Sequence, residues 1–252
     1  MAKQVSPLVK LRGTIDGINF YKGQDGYLAR EKGGVDADRI KNDPKFRLTR
    51  LNGLEFGIGG KAAKLFRAAF KAEVGKAGDT RLTSRLQKLM VAILQTDTVN
   101  DYGYRKVENG DATKLNLFEF NIDTPLSTVF ELVPVTTINR VTGQATIALP
   151  ALRPQAEIAA PDGTSHYNIF AAVAAINFAD EVAVVANRQS TGNLVYDDTV
   201  TAGSTLTLTF TPNSPDPVFL LMGIEFMKIV NGKTYNQSKG LNALQVIAVN
   251  VQ

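Results

Sequence analysis

Few residues in this chain have types and spacings that could do chemistry, and most of those fail on inspection. The run Gly57-Ile58-Gly59-Gly60-Lys61 has the glycines and the lysine of a phosphate-binding loop. Such a loop also needs glycine at the place held by Glu55, and Ser or Thr for magnesium at the place held by Ala62. No β-rich run leads into it, so a kink or a close helix contact is the expected use of these glycines. His166 is the single histidine, with Ser165 beside it and Asp180 downstream. A Ser-His-Asp relay on a Gly-x-Ser-x-Gly elbow is not supported, because no such elbow is present. A structural histidine at the start of a strand is predicted. Asp36, Asp38 and Asp43 are spaced loosely like calcium ligands, but the places that need Gly and Glu hold Lys41 and Arg47. Asp197-Asp198 reads as turn chemistry. Carboxylate pairs of the glycosidase kind are not fixed by spacing along a chain. Asn236-Gln237-Ser238 fits a glycosylation acceptor, a pattern without meaning unless the chain is secreted.

Composition removes whole classes of activity. The chain has no cysteine, so disulfides, zinc–thiolate sites, iron–sulfur clusters and cysteine nucleophiles are excluded. With one histidine, a zinc or copper site would have to be almost all carboxylate, which suits neither metal. No cofactor and no catalytic residue is predicted. The start MAKQVSPLVKLRG lacks the apolar stretch of a secretory signal. No apolar run is long enough to span a membrane. Synthesis in the cytoplasm without a signal peptide is the expectation, with the final location, inside or outside the cell, left open.

Charge is unevenly placed. Residues 1–125 hold 22 Lys+Arg against 15 Asp+Glu, a net of +7, and residues 126–252 hold 6 against 9, a net of −3. A basic front and an acidic back suit either an acidic partner such as nucleic acid or head-to-tail contact between copies. Lys64, Arg67 and Lys71 fall on one helix face, and Arg81, Arg85 and Lys88 on another. Such stripes serve as solvated faces, subunit contacts or phosphate contacts.

Three segments position these residues. The first, 1–43, is an arm. Phe20-Tyr21 and Tyr27-Leu28-Ala29 flank the turn Gly23-Gln24-Asp25-Gly26, a hairpin signal. An isolated hairpin is marginal in water, so it must dock on a sheet, its own or a neighbour's. The second, 44–100, is a helical hairpin. Asp43-Pro44 is a helix start, and Leu51, Leu54, Ile58, Ala62, Leu65, Phe66 and Ala69 follow at helical spacing. Gly75 and Gly78 separate it from a second helix capped by Asp79-Thr80, with Leu82, Leu86, Leu89, Met90, Ile93 and Leu94 on one face. The third, 114–252, has period two. Strands are predicted at 115–122, 128–133, 144–149, 166–175, 181–186, 194–196, 205–211, 218–228 and 243–251, with a hairpin at Val230-Asn231-Gly232-Lys233.

The arm run Gly13-Thr-Ile-Asp-Gly-Ile-Asn-Phe-Tyr-Lys22, with Asp25-Gly-Tyr-Leu-Ala-Arg-Glu-Lys-Gly-Gly34, resembles an uncharacterised bacterial protein family, as do Gly223-Ile-Glu-Phe226 and Leu241-Asn-Ala-Leu244 near the end. A looser likeness is to phage-associated structural proteins that begin with a glycine-punctuated arm. The family resemblance implies no established activity, fold or functional residue, and the looser likeness implies, by analogy, an arm that continues into helix and β-sandwich.

The expected fold class is therefore α+β: an N-terminal arm with a hairpin and a helical pair, followed by an antiparallel β-sandwich. The expected function is non-enzymatic, a self-assembling subunit of a filament, tube or shell. Its arm would dock on a neighbouring copy through Ile18, Phe20, Tyr21, Tyr27, Leu28 and Arg30. The alternatives are a β-sandwich module that binds a protein or glycan, with Tyr167, Tyr196 and Tyr235 near its loops, or a basic nucleic-acid-associated protein.

Overall fold

The computed structural model describes residues 2–5, 9–31, 33–180, 182 and 184–252. The chain divides into two compact units, Met1–Arg50 and Leu51–Gln252.

The first unit holds β1 (Ala2–Lys3), β2 (Gly13–Ile15), β3 (Ile18–Gly23), β4 (Gly26–Glu31) and helix α1 (Ala37–Asn42). The strands form one antiparallel sheet in the order β1-β4-β3-β2. The expected hairpin is thus the inner pair of a four-stranded sheet. Asp16 and Gly17 turn β2 into β3 with positive φ at both places, the twist that matches a two-residue hairpin. Asp36 caps α1 by accepting from the Asp38 N–H at 3.1 Å. Asp43 accepts from the Lys45 N–H at 2.9 Å, and Pro44 opens a short 3-10 turn, Pro44–Phe46. Helix α2 (Arg47–Ala69) follows directly, and the division between the units falls inside it.

The second unit is α/β/β in layers. Helices α3 (Lys71–Ala77) and α4 (Leu82–Leu94) follow α2, and two short helices, α5 (Leu126–Val129) and α6 (Pro154–Glu157), lie further on. Strands β5 (Val135–Asn139), β6 (Gln144–Leu149), β7 (His166–Ala175), β8 (Asn187–Ser190), β9 (Leu194–Val195), β10 (Ser204–Thr209), β11 (Val218–Val230), β12 (Lys233–Asn236) and β13 (Ala243–Asn250) complete it. One sheet is β10-β6-β5. The other is centred on β11, which pairs β7 on one side and β12 and β13 on the other, while β7 also pairs β8 and β9.

The register of β7 on β11 explains the layers. Phe219 lies opposite Ala174 and Leu221 opposite Ala172, and these face the helices. Leu220 lies opposite Val173 and Met222 opposite Ala171, and these face the small sheet. Both faces of the central strands are covered, so Val218–Met227 is buried throughout and reads as a nearly unbroken apolar run. On the helical side, Phe66 packs its ring 5.0 Å from Phe219 and 5.1 Å from Phe70. On the other side, Leu206 and Leu208 of β10 point inward while Thr205, Thr207 and Thr209 face solvent. Because the helices and the sandwich share the apolar core under α2 and α4, residues 51–100 and 114–252 meet in one unit.

The structure departs from the expected elements in detail. Gly75 lies inside α3 and Gly78 ends it, so a third helix separates α2 from α4. At 128–133 the structure has α5 and a single bridge, Phe130 to Ile158. At 115–122 the chain runs beside β13 with one bridge, Glu119 to Gln245, because Leu117 has φ +60° and breaks the extension. The expected strand at 181–186 includes Glu181 and Ala183, which lie outside the described residues, and Val182 and residues 184–186 carry no strand. Of the glycines of α2, Gly59 serves helix contact, since a Cβ there would come within 2.6 Å of Val91 on α4, whereas a Cβ on Gly57 would meet nothing within 4 Å.

Candidate functional site

The six arm residues divide between two faces. The strand register puts Ile18, Phe20 and Tyr27 on one face with Ile15 and Ala29. It puts Tyr21, Leu28 and Arg30 on the other, with Thr14 and Lys3. The first face is apolar along its middle, and cations ring one end of it: Lys10, Arg12 and Lys22 lie 5.6–5.8 Å from the centroid of Tyr27. None of the described residues of the first unit is buried; Ile15 is 53% exposed and Ile18 42%.

The basic stripes are less uniform than their spacing suggests. Lys64, Lys71, Arg81 and Lys88 are exposed. Arg67 is half-buried, with its Nε buried. Arg85 is a structural brace. It pairs with Asp79 and donates to the carbonyls of Glu119 at 2.7 Å and Phe120 at 3.2 Å. Its guanidinium is engaged within the fold.

A cavity of about 640 Å³ opens in the second unit between the segment 117–134 and β13, and sequence reasoning missed it. Leu126, Phe130, Met222 and Ile247 form apolar wall, and Leu117 and Val133 stand exposed at its lip. Glu119 and Gln245 supply polar groups inside it. The Gln245 amide donates to Glu119 Oε1 at 2.6 Å, and the Leu126 N–H lies 3.2 Å from both carboxyl oxygens. Burial pushes the Glu119 carboxyl up to about 7, against those two hydrogen bonds and the charge of Arg85. No ion pair reaches Glu119 among the described residues. Its sequence signal was nil, because Gln245 and Met222 come to it only through the pairing of β11 with β13.

Other buried charges are paired within the fold, although Glu73 Oε2 has no hydrogen-bond partner. Glu55 receives Arg105 at 2.6 and 2.7 Å and the Gly103 N–H at 2.9 Å, and the Arg105 bond holds its carboxyl below the usual range. Lys76 pairs with Glu225 at 2.6 Å, and Arg188 pairs with Glu73. His166 bonds Ser165 Oγ at 3.1 Å at the start of β7. Asp36 and Asp43 serve as caps, and Asp197 accepts from the Thr199 N–H at 2.9 Å. Gly57 to Lys61 lie within α2, with no loop to cradle a phosphate. Tyr167 is buried, Tyr196 donates to the Ile158 carbonyl at 2.9 Å, and Tyr235 is 49% exposed. Among the described residues no group of three or more His, Asp or Glu is placed to hold a metal ion, and no helix is long and apolar enough to cross a membrane.

Comparison with known proteins returns no match to a family model, a curated protein or a solved structure.

Proposed function

We propose that this chain is a self-assembling structural subunit whose N-terminal sheet docks on a neighbouring copy. The observation that carries the reading is the first unit's lack of a core. It is a four-stranded sheet with an apolar middle on one face, and none of its described residues is buried. A sheet of this size ordinarily gains its stability by covering such a face. The inner position of β3 and β4 shapes the contact. Their edges are already taken by β2 and β1, so docking uses the face of Ile15, Ile18 and Phe20 rather than a strand added along the hairpin.

Charge supports contact between copies. Residues 1–50 carry 11 Lys+Arg and 6 Asp+Glu, a net of +5, while residues 126–252 carry a net of −3. A basic sheet that meets the acidic β half of the next copy gives a heterologous contact, the kind that closes into rings or runs on as filaments.

Deleting residues 1–34 tests the reading. The expected product keeps its helical and strand signal by circular dichroism and runs as a monomer in size-exclusion chromatography, while the full chain runs as a larger species. A truncated chain that still assembles would show that the arm is not the contact.

A further inference from the structure

The cavity beside Glu119 stands apart from the assembly reading and has its own chemistry. Its wall is largely apolar, its volume of about 640 Å³ falls among those of small-ligand sites, and its polar groups converge on one carboxyl. Among the described residues two carboxylates line it, Glu119 and Glu131, and no Lys or Arg does. Arg85, whose charge reaches Glu119, is committed to Asp79 and to backbone carbonyls. Glu119 is therefore a half-buried acid that accepts two hydrogen bonds and, among the described residues, has no ion-pair partner. A carboxylate withdrawn from water without a cation is costly, and an incoming cation with an apolar body recovers that cost.

We propose that this cavity binds a primary ammonium carried on an aliphatic stem, with the ammonium on Glu119 and the stem along Leu126, Phe130, Met222 and Ile247. The geometry selects ammonium over guanidinium. Oε1 already takes Gln245 at 2.6 Å and shares the Leu126 N–H with Oε2, so the paired oxygens a guanidinium fork needs are partly occupied. A point cation that needs one oxygen fits the remaining capacity. The strained Leu117, a bulky residue at φ +60°, holds the lip of the site and continues into the backbone that places Glu119 against β13. Two sources carry this chemistry, a free alkylamine and a lysine side chain of another protein.

Isothermal titration calorimetry of the full chain tests it with hexylammonium, hexanoate and Nα-acetyl-lysine N-methylamide as probes. Hexylammonium or the lysine amide is expected to saturate one site, with hexanoate at least tenfold weaker. A stronger response to the lysine amide assigns the site to a lysine side chain, and a stronger response to hexylammonium assigns it to a free amine. Glu119→Gln should weaken binding at least tenfold. Ile247→Phe, which fills the stem's path and keeps the carboxyl, should do the same if Glu119→Gln does not fold. No saturable binding by either amine, or hexanoate binding as tightly, would overturn the proposal. So would a folded Glu119→Gln variant with unchanged affinity.

Discussion

Replacing Gly59 by alanine sets two effects of opposite sign against each other, and the structure says which is larger. Gly59 lies inside α2, where alanine is worth up to about 1 kcal/mol over glycine through backbone entropy. The added Cβ, however, would sit 2.6 Å from Val91 Cγ2 and 3.2 Å from the Val91 backbone nitrogen on α4. A valine in a helix has essentially one rotamer, so the methyl cannot swing aside, and the backbone nitrogen cannot move without α4. Overpacking of this kind costs roughly 1–3 kcal/mol. The net expectation is a loss of up to about 2 kcal/mol. Gly57, two residues earlier in the same helix, is the control, because a Cβ there meets nothing within 4 Å. Gly57→Ala should keep the whole propensity gain. At roughly 2–4 °C per kcal/mol for a chain of this size, the two variants should differ in Tm by about 2–12 °C. The assay is thermal unfolding by far-UV circular dichroism at one fixed protein concentration, since assembly shifts apparent stability. If Gly59→Ala were stabilised as much as Gly57→Ala, the close approach of α2 and α4 would be wrong. The same pair bears on the phosphate-loop reading, which would require both glycines for a ligand and neither for packing.

Other outcomes follow from the same arrangement. Arg105→Ala leaves Glu55 buried without its cation and should cost about 3–5 kcal/mol in urea unfolding; a loss below about 1 kcal/mol would contradict the pairing. Phe66→Ala, at a fully buried ring between the helices and β11, should cost about 3–5 kcal/mol by the same assay. Two carboxyls give stability opposite dependences on pH. Glu55 is held low by Arg105, so its contribution is present above the ordinary carboxylate range and is lost as pH falls through its lowered pKa. Glu119 is raised from 4.5 to about 7, so the native state keeps a proton that the unfolded chain has released, and stability falls as pH rises between those values. Unscreened, that shift amounts to roughly 3 kcal/mol, and solvent access to the carboxyl reduces it to about 1–2 kcal/mol. Urea midpoints at pH 5 and pH 8 should therefore differ less in Glu119→Gln than in the parent chain, and an equal difference would remove Glu119 as the source.

The parts of the fold that sequence made legible are those where local and tertiary preferences agree. The limits of β6 and β7 follow from their apolar patterns, and Asn231-Gly232 turns β11 into β12 with the positive φ values its residues favour. Asp43-Pro44 opens its helix as the capping rules require. Misreadings occurred where a tertiary partner decides. The β-branched run after Pro125 looked like a strand, yet the Leu126 N–H turns to the Glu119 carboxyl and the chain coils into α5. Strand β5 was missed because Pro134 stands before it, and it pairs only with β6. The hairpin of the arm was visible and Lys10 to Ile18 alternates around Gly13 and Gly17, but that alternation does not name β3 as the partner of β2, and Ala2-Lys3 is too short to carry a pattern. The Glu119 cavity was invisible for a similar reason: its polar pair is joined by a bridge across 126 residues of chain.

The most direct test of self-assembly is light scattering on the full chain beside an Ile15→Lys, Ile18→Lys variant. Both positions are more than 40% exposed, so the lysines should leave the folded monomer intact and place charge on the docking face. The expected result is a parent particle well above 27.3 kDa, resolved as filaments, tubes or shells by negative stain, and a variant at 27.3 kDa with an unchanged circular dichroism spectrum. A parent chain that stays at 27.3 kDa across concentration and salt would contradict the account, as would a variant that assembles as the parent does.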